Sequence, residues 1–161
     1  MPAGARIIAN QFYQPKLQSR ALHLGIDIMG PAGTPVLAAA RGVVVDSYYE
    51  PLYGNRIRID HGIDERGHRV FTKYYHLKSR RSRVGDTVER GERIGAMGST
   101  GALGVAVHLH FETHVQAAGA SSTAIDPHLT WADGKGKVTC FQSNRTYPTR
   151  PVRMTYPTPC L

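Results

Sequence analysis

Cysteine is nearly absent. The 161 residues carry two, Cys140 and Cys160, neither in a C-x-x-C pair nor beside a histidine, which argues against a thiolate zinc knuckle. If joined, they close a loop of about 21 residues, worth roughly 3 kcal/mol in loop entropy, and imply an oxidising compartment. No stretch approaches the roughly 18–20 consecutive apolar residues of a transmembrane helix, so no transmembrane segment is expected. Met1 to Arg6 lack the apolar centre of a secretory leader, so the chain is read either as a trimmed mature domain or as one delivered by another route. Acidic side chains are in deficit, 12 against 20 Lys plus Arg, for a formal charge of +8. That excess favours a polyanionic partner: nucleic acid, a membrane surface or an anionic cell-wall polymer. No DNA- or RNA-binding motif is readable, so nucleic acid is set aside. The basic run Lys78 to Arg83 is read as a solvated loop that can rest on an anionic wall polymer. Also missing is any amphipathic stretch of three or four helical turns.

What is present is turns and short strands. Gly 17 and Pro 10 punctuate segments that alternate apolar and polar residues. These are Ala5 to Ala9, Leu22 to Pro31, Asn55 to Gly62 and Val70 to Leu77, with a β-branched run at Val43 to Val45. Ile63 to Arg69 reads as a charged hairpin tip, and Val84 to Gly95 as short strands and tight turns. Thr34 to Ala40 is ambiguous by propensity. The expected fold is all-β, a sandwich or barrel-like sheet in one domain. The tail from Ala120 is expected to wrap the sheet, or to extend it by one strand around Val138 to Phe141.

The most informative stretch is Val105 to His114, where histidines at 108, 110 and 114 alternate with apolar residues. On a strand, residues i and i+2 share a face, so His108 and His110 look at one place. Upstream, His23 and Asp27 form an H-x-x-x-D pair in a segment too short and glycine-rich for a helix. A bend at Gly25 can turn both side chains to one side. Imidazole and carboxylate are good zinc donors at bond lengths of roughly 2.0–2.2 Å. A third ligand from His108 or His110 leaves one position open to water. As isolated pairs, these residues read equally well as exposed hydrogen-bonded side chains; His76 adds to the constellation.

In its blocks, the sequence resembles the lysostaphin- and LytM-like M23 family of zinc peptidoglycan endopeptidases. The matching residues are His23 to Asp27, Pro31 to Val36, Gly54-Asn55, Ile59 to Gly62, Thr72 to Leu77, Val84 to Val88, Ile94-Gly95, Gly98 to Gly101 and His108 to Glu112. The resemblance implies antiparallel sheets of the duplicated-hybrid (barrel-sandwich) type with an open groove. It implies one zinc ion held by His23, Asp27 and His110, with His108 and His76 doing the proton and oxyanion work. It further implies a single catalytic domain over residues 1–161, with a core of about 22–114 and an extension, 115–161, packing on or extending the sheet. The substrate is then peptidoglycan peptide, the location extracytoplasmic, and the simplest assembly a monomer. Glycine bridges, D-alanine-to-diamino-acid cross-links and stem peptides all fit an open groove.

The chain departs from the family at Ala106-Val107, where a Gly-Pro or similar small pair usually precedes H-x-H. Two other readings compete. A non-catalytic wall-binding module or hydrolase activator typically loses ligands, and every ligand is retained here. A lipoyl- or phosphocarrier domain shares the V-x-x-G-D-x-V-x-x-G hairpin, but the first needs a lysine at a hairpin tip and the second has no use for His23 and Asp27. His61, His68, His114 and His128 receive no role, and Glu112 is expected to point away from His110.

Overall fold

A computed structural model describes residues 6–9 (backbone only), 23–104 and 106–160. Among these residues the chain forms ten strands and a single 3-10 turn, Pro127–Leu129, with no α-helix. The strands are β1 (Arg6–Ala9), β2 (Ile26–Met29), β3 (Pro35–Leu37), β4 (Gly42–Glu50) and β5 (Gly54–Ile63). They continue with β6 (Arg69–Arg80), β7 (Thr87–Val88), β8 (Arg93–Met97), β9 (His108–Gln116) and β10 (Thr123–Ile125). The hydrogen-bonded order is β1-β2-β9-β6-β5-β4-β7, with β10 on the outer part of β9 and β8 joining β3 to β6. All these pairings are antiparallel. The all-β, antiparallel expectation holds, and the sheet does not close on itself.

Alternation places the core. On β9, Leu109 and Phe111 are fully buried on one face, while His108, His110, Glu112 and His114 take the other. Ile26, Ile28, Ile57, Ile59, Tyr74 and Leu77 complete the apolar side. Each such side chain contributes roughly 1.5–3 kcal/mol on burial. The loop joining β5 to β6 is an Asx-type turn, in which Asp64 Oδ1 accepts from the amides of Arg66 (2.8 Å) and His68 (2.9 Å).

One irregularity matters for the site. β6 pairs with β9 from Arg69 to Tyr75, then with β8 from Leu77 onward. At the changeover His76 has φ +64°, and its amide leaves the ladder to donate to the Tyr53 carbonyl (2.9 Å). A left-handed residue at such a bulge is a local strain, held here by the strands on either side.

The C-terminal extension both lengthens the sheet and backs it. β10 pairs with β9, and Trp131, Met154 and Tyr156 are fully buried in the main core. The Trp131 ring stacks on Phe111 with centroids 6.4 Å apart. The amides of Leu37 and Thr155 donate to the carbonyls of Pro157 and Ala39, each at 2.8 Å. Cys140 and Cys160 are disulfide-bonded, as the sequence allowed. The strand expected around Val138 to Phe141 does not form. The Thr139 carbonyl accepts instead from Tyr156 N (2.7 Å), and its hydroxyl accepts from Asp133 N (2.9 Å), so the segment is held by loop crossings.

Candidate metal centre

Two neighbouring strands build the site. β2 and β9 pair with Asp27 directly opposite His110, so both side chains rise from the same face. His23 reaches them because the chain bends at Gly25 just before β2. Only glycine fits at that bend: an added Cβ would lie 2.2 Å from the Phe111 carbonyl oxygen and 2.9 Å from Glu112 Cγ. The bend proposed from sequence is therefore a close backbone approach as well.

Asp27 Oδ1 is the focus. It lies 3.2 Å from His23 Nε2 and 2.8 Å from His110 Nδ1. One ligand atom each from His23, Asp27 and His110 falls within a 4.8 Å span. A tetrahedral ion with bonds of about 2.0–2.2 Å needs donor spacings of roughly 3.3–3.6 Å, so small side-chain shifts suffice and the donor set fits one metal ion. The electrostatics agree. Burial opposes ionisation of Asp27, but hydrogen bonds from His110 and His23 outweigh it and hold the carboxyl well below the usual range. Burial disfavours charge on His110 too, yet Asp27 and Glu112 on either side raise it to about 9. This spot favours a positive charge, whether proton or metal.

Glu112 corrects the expectation made for it. Positions 110 and 112 are two apart on a strand and share a face, so Glu112 points towards His110 and not away from it. Its Oε1 accepts from His110 Nε2 (2.9 Å) and its Oε2 from His114 Nε2 (2.6 Å). Burial raises its pKa, but these two bonds bring it down to about 2. With His110 Nδ1 turned to the metal position, Nε2–H is anchored on a carboxylate, the arrangement that fixes a ligand's tautomer and orientation. His114, assigned no role from sequence, is the outer member of this chain. The signal was available in the unbroken period-two run 108-110-112-114.

His108 and His76 form the rim, their ring centroids 4.7 Å apart. His108 Nδ1 donates to the Ala106 carbonyl (2.8 Å), and His76 Nδ1 to the Thr100 carbonyl (2.8 Å). A carbonyl only accepts, so each neutral ring carries its proton on Nδ1 and presents an unprotonated Nε2. His108 Nε2 is 3.7 Å from Asp27 Oδ1. Burial pushes His76 down to about 4, so it is neutral near pH 7. Tyr75 packs on His110 at 5.5 Å. Thus the five residues singled out from sequence converge. His61, His68 and His128 lie apart: His61 bridges the Arg41 carbonyl (2.8 Å) and Thr72 Oγ1 (2.7 Å), the His68 amide closes the Asp64 turn, and His128 Nδ1 accepts from Trp131 Nε1 (2.9 Å).

A His/Asp/His donor set on an open sheet, flanked by two imidazoles with free Nε2 atoms, has the composition of a mononuclear metal site for hydrolysis. Residues 21–127 match peptidase family M23. The chain is 36% identical over 118 residues to the peptidoglycan DD-endopeptidase ShyC of Vibrio cholerae, covering 73% of this chain and 26% of that one. It is 38% identical over 122 residues to the DD-carboxypeptidase/endopeptidase Mpg of Neisseria meningitidis, covering 74% and 27%. The catalytic domain of lysostaphin from Staphylococcus simulans superposes with a TM-score of 0.63 at 33% identity, covering 76% of this chain and 89% of that one. The chain belongs to peptidase family M23. It spans about a quarter of the length of these curated relatives.

Proposed function

We propose that the protein is a zinc-dependent endopeptidase that hydrolyses peptide bonds in bacterial peptidoglycan. The observation that carries this reading is the convergence of His23, Asp27 and His110 within one 4.8 Å span, with two base-competent imidazoles beside it. Zinc, when bound by these three side chains, supplies a Lewis acid that polarises a scissile carbonyl and acidifies water. The protein's own groups do the rest. His108 Nε2, nearest to Asp27, accepts the proton of the attacking water. His76 Nε2 begins as an acceptor too; the proton that His108 takes from the water would pass to it across the 4.7 Å ring contact, let it donate to the oxyanion, and go on to the leaving amine, which leaves both rings neutral again. Both Nδ1 carbonyl contacts keep the rings oriented through that cycle. Relatives named as peptidoglycan DD-endopeptidases support the substrate class.

We take residues 1–161 as one catalytic domain that works as a monomer outside the cytoplasm. The disulfide fits an oxidising compartment, and among the described residues no helix is long and apolar enough to cross a membrane. The excess of basic residues suits an anionic wall polymer as a second, loosely held partner.

The direct test is mass spectrometry of fragments released from purified peptidoglycan, with and without a zinc chelator. New peptide termini that disappear on chelation are the expected result and identify the bond. No release from walls of several cross-link chemistries, with zinc confirmed bound, overturns the enzyme reading in favour of a wall-binding module. Within that assay His110→Ala is expected to lose zinc, and His76→Ala to keep zinc and lose turnover.

A further inference from the structure

The sheet face that carries the metal donors continues past them, and register fixes which side chains share it. Across β6 and β9, Tyr75 faces His110 and Lys73 faces Glu112. Across β5 and β6, Arg58 faces Lys73, and across β4 and β5 Asp46 faces Arg58. Directly opposed residues project to the same side. Arg56 joins this face by lying between the rings of Tyr48 (5.1 Å) and Tyr75 (4.8 Å).

Three cations therefore share the sheet face beside the candidate metal centre, and they are not equally paired. Arg58 is committed to Asp46, Nε to Oδ2 at 2.6 Å. Arg56 approaches Glu50 only at 3.9 Å; its Nε, like that of Arg58, is buried without a hydrogen-bond partner, so the close ion pair is what sets Arg58 apart. Lys73 is half-buried, and no carboxylate among the described residues lies within ion-pair distance of its ammonium. Glu112, opposite it in register, has both oxygens engaged by His110 and His114. A half-buried ammonium without a counter-ion is disfavoured, and burial draws the Lys73 pKa down accordingly. A carboxylate arriving from outside would relieve that.

We propose that Lys73, with Arg56 beside it, forms a carboxylate-binding subsite on that sheet face, selecting peptides that carry a free carboxylate close to the scissile bond. This rests on the endopeptidase reading above. Lys73 is two residues from Tyr75 along β6, a rise of about 7 Å, and an extended peptide advances about 3.4 Å per residue. The recognised carboxylate thus falls within about two residues of the cleaved bond. A cross-link between D-alanine and a diamino diacid has one there; a glycine bridge has none.

The test uses two synthetic cross-linked peptides that differ only in a free carboxylate or a carboxamide on the diamino acid. The zinc-loaded wild type is expected to favour the acid by roughly tenfold or more in kcat/KM, mainly through KM, the scale of one charge-assisted hydrogen bond. Lys73→Gln is expected to bring that ratio within about twofold of one with zinc content unchanged, and Lys73→Arg to restore the preference. Calorimetric binding of the two peptides to chelator-treated protein gives a readout without turnover. Equal cleavage of both peptides by the wild type, or an equal fall on both in Lys73→Gln, overturns the subsite and leaves the endopeptidase standing. If neither peptide is cleaved but binding still prefers the acid, the subsite stands and the endopeptidase reading falls. No cleavage and no preference removes both.

Discussion

Replacing Glu112 tests whether the residues behind the metal donors matter as much as the donors. Its carboxylate holds the distal nitrogen of His110 at 2.9 Å and that of His114 at 2.6 Å, with only 5% of the residue exposed. Each bond to a charged acceptor is worth about 1.5–3 kcal/mol. Glu112→Ala breaks both and leaves two buried N–H groups without partners. His110 is then free to rotate and to take the other tautomer, which places a proton on the very nitrogen that must face the metal. Loss of such a carboxylate typically weakens metal binding by 10–100-fold, about 1.4–2.7 kcal/mol. Glu112→Gln keeps an oxygen for His110 but no charge, so its loss is expected nearer tenfold. The assay is competition for zinc with a chromogenic chelator at pH 7, with urea unfolding of the same samples to separate affinity from folding. Zinc affinity of Glu112→Ala within twofold of wild type would refute the reasoning.

Three further outcomes follow from other sites. Burial pushes His61 down to about 4, so the fold prefers the neutral ring; its stabilisation is complete above pH 6.5 and is lost as pH falls from 6.5 towards 4. By that shift the loss is about 3 kcal/mol, and urea titrations at pH 7 and 4.5 should show His61→Gln losing less over that window than wild type. Gly25→Ala places a methyl 2.2 Å from the Phe111 oxygen, forcing β2 off β9; it is expected to cost about 2 kcal/mol or more and to lower metal content, read by thermal unfolding and metal analysis. Cys160→Ser opens the Cys140–Cys160 loop and is expected to cost about 3 kcal/mol, seen as a lower urea midpoint that reductant does not lower further.

The convergence of the candidate metal donors was legible because their geometry is local. H-x-H on a strand and H-x-x-x-D across a glycine bend each confine two side chains to one side within a few residues, and the order of motif blocks supplied the pairing between them. Period two also placed Leu109 and Phe111 inward, and the same rule, applied consistently, would have placed Glu112 and His114 behind His110. His76 is different. Its position depends on β6 exchanging β9 for β8 and on a left-handed turn in a histidine, and nothing in Tyr74-Tyr75-His76-Leu77 announces either. The tail was hardest to read. Beyond β10 and the 3-10 turn its residues pack as loops, so Trp131, Met154 and Tyr156 enter the core without any periodic signature, and Val138 to Phe141 has strand-like composition but is held by single crossing bonds.

That tail sets the size of the portable unit. The family match stops at residue 127, yet Trp131 beyond it covers the back of Phe111, the residue between His110 and Glu112. A minimal domain or a grafted module trimmed at the homology border would leave that strand wetted from behind, its candidate donors carried on a wall with no backing. The packing of Trp131, Met154 and Tyr156 and the Cys140–Cys160 bond carry the core past that match, so fusions designed with this chain should keep it through Cys160.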